Sequence, residues 1–238
     1  MEVYSVNYSQ IKKRINSKNN KFSFKFFIIF LIIIVFIGIF TAIKPLKTKN
    51  IKFFYVEINS FLNYKEANKL ANSVQEQGGA GYIYYDGKYH VLTSLYLKKE
   101  DANKVKENLT KDFPTCKILT LEGNLFQRNY NKFQNEIIMN TINLNQNLIK
   151  NLYNLSVEID INQSLNYTTK FDRIKDEYIS KTKDFFKSFK LNKFPTQVES
   201  MEEILSSLDE ILKWKNFCVL KYELINISIC QINFLNSF

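Results

Sequence analysis

One histidine, three cysteines, three prolines and six glycines in 238 residues leave little material for several kinds of chemistry. His90 stands alone, so a zinc hydrolase with two or more imidazole ligands is excluded, and most serine or cysteine triads have nothing to build on. No catalytic residue, metal ligand set or cofactor is nominated, and the chain is expected not to be an enzyme. Cys116, Cys218 and Cys230 are too few and too scattered for a disulfide framework and read as small buried apolar residues. Arginine is scarce as well, with three among 33 basic residues, and lysine is a poor substitute for bidentate recognition of phosphate or guanine. Nucleic acid is not an expected partner.

What is present begins with an uncharged run, FFIIFLIIIVFIGIFTAI, over residues 26–43, closed by Lys25 before it and Lys44 after it. As a helix rising ~1.5 Å per residue the run covers about 27 Å, close to the hydrocarbon thickness of a bilayer. It predicts a transmembrane helix. A retained span is preferred over a cleaved leader because no small-x-small pattern follows the run. The formal charge of +10 sits mostly beside it: residues 1–52 carry +9, residues 53–123 are balanced and residues 124–238 carry +1. Six basic residues precede the run against four after it, which favours a cytoplasmic tail over 1–25 and residues 44–238 outside the cytoplasmic membrane, single-pass. The lipid bilayer is therefore an expected partner of residues 26–43.

Residues 44–50 read as a tether, and residues 51–123 hold five of the six glycines in a βαββαβ pattern. FFYVEINS (53–60) is strand-like. Asn63 with Glu66 three residues on has the form of a capping box, followed by Ala67, Leu70, Ala71 and Val74 at helical spacing. YIYY (82–85), Asp86-Gly87 and KYHVLTSL (88–95) describe a hairpin, with a three-residue bulged loop preferred because it turns Ile83 inward. A second helix carries Ala102, Val105 and Leu109, and a last strand runs from Lys117 to Leu121. The halves repeat at an offset of 35 residues: Val56 matches Val91, and Ala67-Asn68-Lys69-Leu70 matches Ala102-Asn103-Lys104-Val105. Such a repeat predicts a ferredoxin-like sheet with both helices on one face and the other face open.

FYVEINSF, KEANKLANSV, GGAGYIYYDGKYHVL and KEDANKVKENL together resemble the sporulation-related repeat, or SPOR, domain over residues 53–121. Glu57 and Asn59 stand where that family commonly has Gln and Gly, and His90 and Leu92 where it commonly offers Arg. The resemblance implies noncatalytic binding of septal peptidoglycan, through glycan strands stripped of stem peptides, during cell division or sporulation. Period-two alternation then sends Tyr55, Glu57, Asn59, Tyr82, Tyr84, His90 and Ser94 to the open face as the expected glycan-binding residues. Tyrosine rings offer apolar faces for pyranose edges, and Asn, Ser and His offer donors and acceptors.

Residues 124–238 lack glycine and read as helical. One amphipathic helix runs through Phe133, Ile137, Ile142, Leu148 and Leu155, and a second spans about 165–189. After Phe194-Pro195, a third is capped by Ser200 and Glu203 and carries a heptad stripe through Ile204, Leu208, Ile211, Lys215, Cys218, Tyr222, Ile225, Ile229 and Ile232. The stripe suits an internal bundle, self-association or an envelope protein partner. The expected class is therefore α+β: a transmembrane helix, a ferredoxin-like SPOR-like domain and an all-α bundle or coiled coil. The alternative function is a membrane-anchored structural scaffold that binds a protein through the sheet face or the C-terminal helices, without glycan.

Overall fold

Both side-chain parities of the first strand are buried, and that double burial organises the fold. Ile51, Phe53 and Tyr55 point one way and Val56 and Ile58 the other, each at most 6% exposed. A strand reading apolar on both faces needs cover on both. The computed structural model describes residues 49–125, 130–162, 167–191 and 194–238, and within them the cover comes from two sets of helices.

The sheet is antiparallel, with strands β1 (Lys49–Phe61), β2 (Tyr82–Tyr85), β3 (Tyr89–Tyr96) and β4 (Lys117–Leu125) in the order β2-β3-β1-β4. On one face lie α1 (Tyr64–Glu76) and α2 (Lys99–Leu109). Their small residues Ala67, Ala71 and Ala102 let the helices approach Val56, Ile58 and Val91 closely. Asn63 caps α1 by accepting from the Lys65 amide at 2.8 Å; Glu66 contributes its charge to the first turn. In the hairpin Tyr85 faces Tyr89 across Asp86-Gly87-Lys88, Gly87 takes φ of 109°, and Ile83 sits opposite Val91 against the α1 side. Against β3, β1 shifts register on either side of Glu57.

The second face is covered by the C-terminal helices α3 (Lys132–Ile161), α4 (Thr168–Leu191), α5 (Pro195–Trp214) and α6 (Phe217–Asn236). Helix α6 is apolar nearly all round, with Leu220, Leu224, Ile225, Ile227, Ile229, Ile232, Phe234 and Leu235 all buried, so it must be enclosed. It packs on β3 and β4 on one side and on α3 and α5 on the other. Tyr178 donates to Asn145 Oδ1 at 2.8 Å and Asn145 donates to Gln231 Oε1 at 2.7 Å, a buried polar relay joining α4, α3 and α6. Edge-to-face contacts among Tyr130, Phe189, Phe194, Phe234 and Phe238 close the far end.

These observations correct the expected class. The open sheet face does not exist, because one apolar core runs from Ile51, Phe53, Tyr55, Leu92 and Leu95 directly into α3–α6. There is no independent helical module: Lys47–Phe238 forms one compact unit of two helices, sheet and four helices in layers, and Gly123, near the expected boundary, pairs with Ile51 inside β4. The heptad stripe is not one coiled-coil helix. Lys215 adopts the left-handed conformation, φ 47°, and folds the stripe into the α5–α6 hairpin. Pro195 starts α5 at its first turn, where a missing amide costs nothing, and Ser200 lies buried inside that helix.

The expected transmembrane helix over 26–43 lies outside the described residues. Among the described residues no helix is long and apolar enough to cross a membrane. Helix α3 has the length, but carries Asn, Gln and charge along one face; α6 is interrupted by Lys221 and Glu223 and spends its apolar surface on the core. The single-pass placement, with residues 44–238 outside the cytoplasmic membrane, thus has no described element behind it.

Candidate functional site

The residues nominated on the strand face divide into three groups. Tyr55 belongs to the interior, and the half-buried Tyr82 packs against it. Tyr55 is 0% exposed and its hydroxyl donates to Ser228 Oγ at 2.8 Å, since Ser228 spends its own proton on the Ile225 carbonyl at 2.6 Å. Tyr82 donates to Asn226 Oδ1 at 3.0 Å, and its ring lies 4.8 Å from that of Tyr222. Burial pushes both phenols well above the ordinary tyrosine range, so they stay neutral.

Glu57, Tyr84 and His90 form the second group, at the bulge of β1. His90 Nε2 lies 2.7 Å from Asp86 Oδ1, while Nδ1 lies 3.1 Å from Glu57 Oε1, and Lys117 Nζ is 3.2 Å from the same oxygen. Glu57 is fully buried, and its oxygens and His90 Nδ1 are near enough for ion pairing yet out of hydrogen-bond alignment. The hydrogen bond from His90 holds the exposed Asp86 carboxyl below its usual range. The Tyr84 ring lies 6.2 Å from the imidazole. This cluster pairs charge where β1 changes register. The third group is local: Asn59 accepts from the Ser60 amide, and Ser94 donates to the Tyr96 hydroxyl. The structure does not bring the seven together into a concave surface.

A different concavity opens along the outer edge of β2, which among the described residues pairs only with β3. It holds about 420 Å³ between α1, the strand edge and the first turns of α6. Its aromatic side consists of Tyr64, Tyr85, Tyr89 and Tyr222. Tyr64 meets Tyr89 edge-on at 5.5 Å and Tyr85 leans on Tyr89 at 4.7 Å, with Tyr64 and Tyr85 55% and 60% exposed. Asn68 and Asn72 follow Tyr64 at successive four-residue steps, so α1 presents the three in one row. Gly81, at φ 58°, brings the chain so near α1 that an added Cβ would lie 2.3 Å from the Ala71 carbonyl oxygen. That approach positions the edge beside the amides.

The cleft contains rings and amides and no nucleophile paired with a base. Among the described residues no group of three or more His, Cys, Asp or Glu side chains is disposed to hold a metal ion. The cysteines are free, and burial with the neighbouring Glu203 pushes the Cys230 thiol upward. One sequence signal for the cleft existed, in the tyrosines flanking Asp86-Gly87 and the Tyr64, Asn68, Asn72 spacing; Tyr222, 133 or more residues away from them, had none.

No family model, curated protein or solved structure matches the chain. The resemblance to the sporulation-related repeat therefore rests on its residues alone. With no match and with the nominated face covered by α6, neither the comparisons nor the structure supports the peptidoglycan, septum, division and sporulation expectations.

Proposed function

We propose that the protein is a noncatalytic scaffold that captures an extended polypeptide segment along the free edge of β2. The observation behind it is the coincidence of a strand edge unpaired among the described residues with the tyrosine and amide cleft. An unpaired edge exposes a row of backbone donors and acceptors that an added strand satisfies. Exposed rings supply contact area at little entropic cost, and Asn68 and Asn72 each offer a donor and an acceptor to a peptide backbone. Scaffold binding through the sheet thus moves from the covered face to the edge.

The test screens the full chain against a library of extended dodecapeptides and titrates those recovered. Binding should be saturable, slow amide exchange at Tyr82–Tyr85, and weaken about tenfold or more in the Tyr64→Ala, Tyr85→Ala double variant, since aromatic anchors dominate such interfaces. Those rings are more than half exposed, so the fold should survive. Peptide binding that leaves β2 exchange and the double variant unaffected, or no saturable binding, rejects the edge.

A further inference from the structure

We infer that the groove between α4 and α5 binds a single-chain amphiphile with an anionic head, a long-chain carboxylate. It holds about 690 Å³, apart from the β2 cleft, and lies within the size range of small-molecule sites. Its floor is Ile179, Phe186 and Leu205, of which Ile179 is 39% exposed. Thr182 adds only its methyl group to that floor, because its hydroxyl is spent on the carbonyls of Tyr178 and Ile179 at 2.9 and 3.2 Å. The floor therefore rewards an apolar occupant and offers no hydrogen bond to a polar one.

The rim has one sign. Lys183, Lys187 and Lys190 follow one another at steps of four and three, so their stems border the groove on one face of α4. Lys190 already lies 4.7 Å over the Phe186 ring and 3.6 Å from the Glu202 carboxylate. Lys183 and Lys187 have no acidic partner among the described residues. Two uncompensated ammonium groups beside an apolar slot complement a carboxylate head on an alkyl tail. A docked helix would be ~10 Å wide and would need a row of anchoring pockets, whereas three apolar side chains bordered by ammonium groups offer contact enough for an alkyl tail and its head.

The experiment labels the full chain with a palmitate analogue carrying a photoreactive diazirine near its tail, and maps the labelled residues by mass spectrometry. Label should fall at Ile179, Phe186 or Leu205, be competed by unlabelled palmitate, and drop about tenfold when Lys183→Glu and Lys187→Glu are combined. Both positions are exposed, so the variant should fold, which its far-ultraviolet circular dichroism and melting temperature verify. The matching cationic probe, a diazirine alkyl-trimethylammonium, should label the groove poorly. Label confined to residues 26–43, equal labelling by the cationic probe, or indifference to the charge reversal would overturn the inference. So would a concentration-dependent dimer abolished by the same charge reversal, because a second copy would then occupy the groove.

Discussion

Glu223 shows how one residue reports the cover over the sheet. It sits on α6 beside Ser207 and Asn226, and burial raises its carboxyl above the ordinary value of 4.5, against the hydrogen bonds from those two neighbours. A carboxyl raised in the folded state binds its proton more tightly there than in the unfolded chain. Its stabilising share is complete below about pH 4.5 and is lost as pH climbs through the folded value. At neutral pH the ionised group opposes folding. Glu223→Gln keeps an acceptor for Ser207 and should raise the melting temperature at pH 7 by about a degree or two, with little difference near pH 4. Melts at the two pH values check it; an equal effect at both would mean that the burial of charge is not what matters at this position.

Among the elements, α6 depends on its closest approach to the sheet. Gly123 in β4 lies under its last turns, where a Cβ would fall 2.6 Å from Leu235 Cδ1 and 3.2 Å from Ile232 Cα. No left-handed backbone is involved, so the demand for glycine is steric. Gly123→Ala should force α6 outward and cost ~1–3 kcal/mol, as overpacking of a filled core does. Urea unfolding measures this directly. A variant as stable as the parent would place α6 farther from β4 than described. The neighbouring α5 has its own constraint at Lys215, whose left-handed conformation ends the helix and turns the heptad stripe back on itself.

For the molecule as a whole, the two sides of the sheet are not interchangeable. Helices α1 and α2 are contiguous in sequence with the strands they cover; α3–α6 arrive later and bury Ile51, Phe53, Tyr55, Leu92 and Leu95. A fragment ending at Leu125 should expose that apolar row, bind a hydrophobic dye such as anilinonaphthalene sulfonate and lack a cooperative melt. Dispersed amide resonances and a sharp transition from that fragment would instead restore an independent domain. The β2 edge and the α4–α5 groove lie on opposite sides of this dependence: the edge gains Tyr222 from α6, whereas the groove belongs wholly to the helical layer.

Local pattern determined much of this protein. The alternation in β1, the spacing of Ala67, Ala71 and Val74, the Asp86-Gly87 hairpin with Ile83 turned inward, and the stripes of α3 and α4 all follow from neighbours two to four residues apart. Such neighbours say which residues share a side of an element. They do not say what lies against it. Tyr55 and Ser228, 173 positions apart, meet only because α6 needs cover all round and the sheet's second face offers it. That closure converted an expected binding face into core and left the β2 edge, beside Tyr64 and Tyr222, as an open concavity. Sequence spacing set the elements; the burial of two large apolar surfaces against each other decided which residues remain available to a partner.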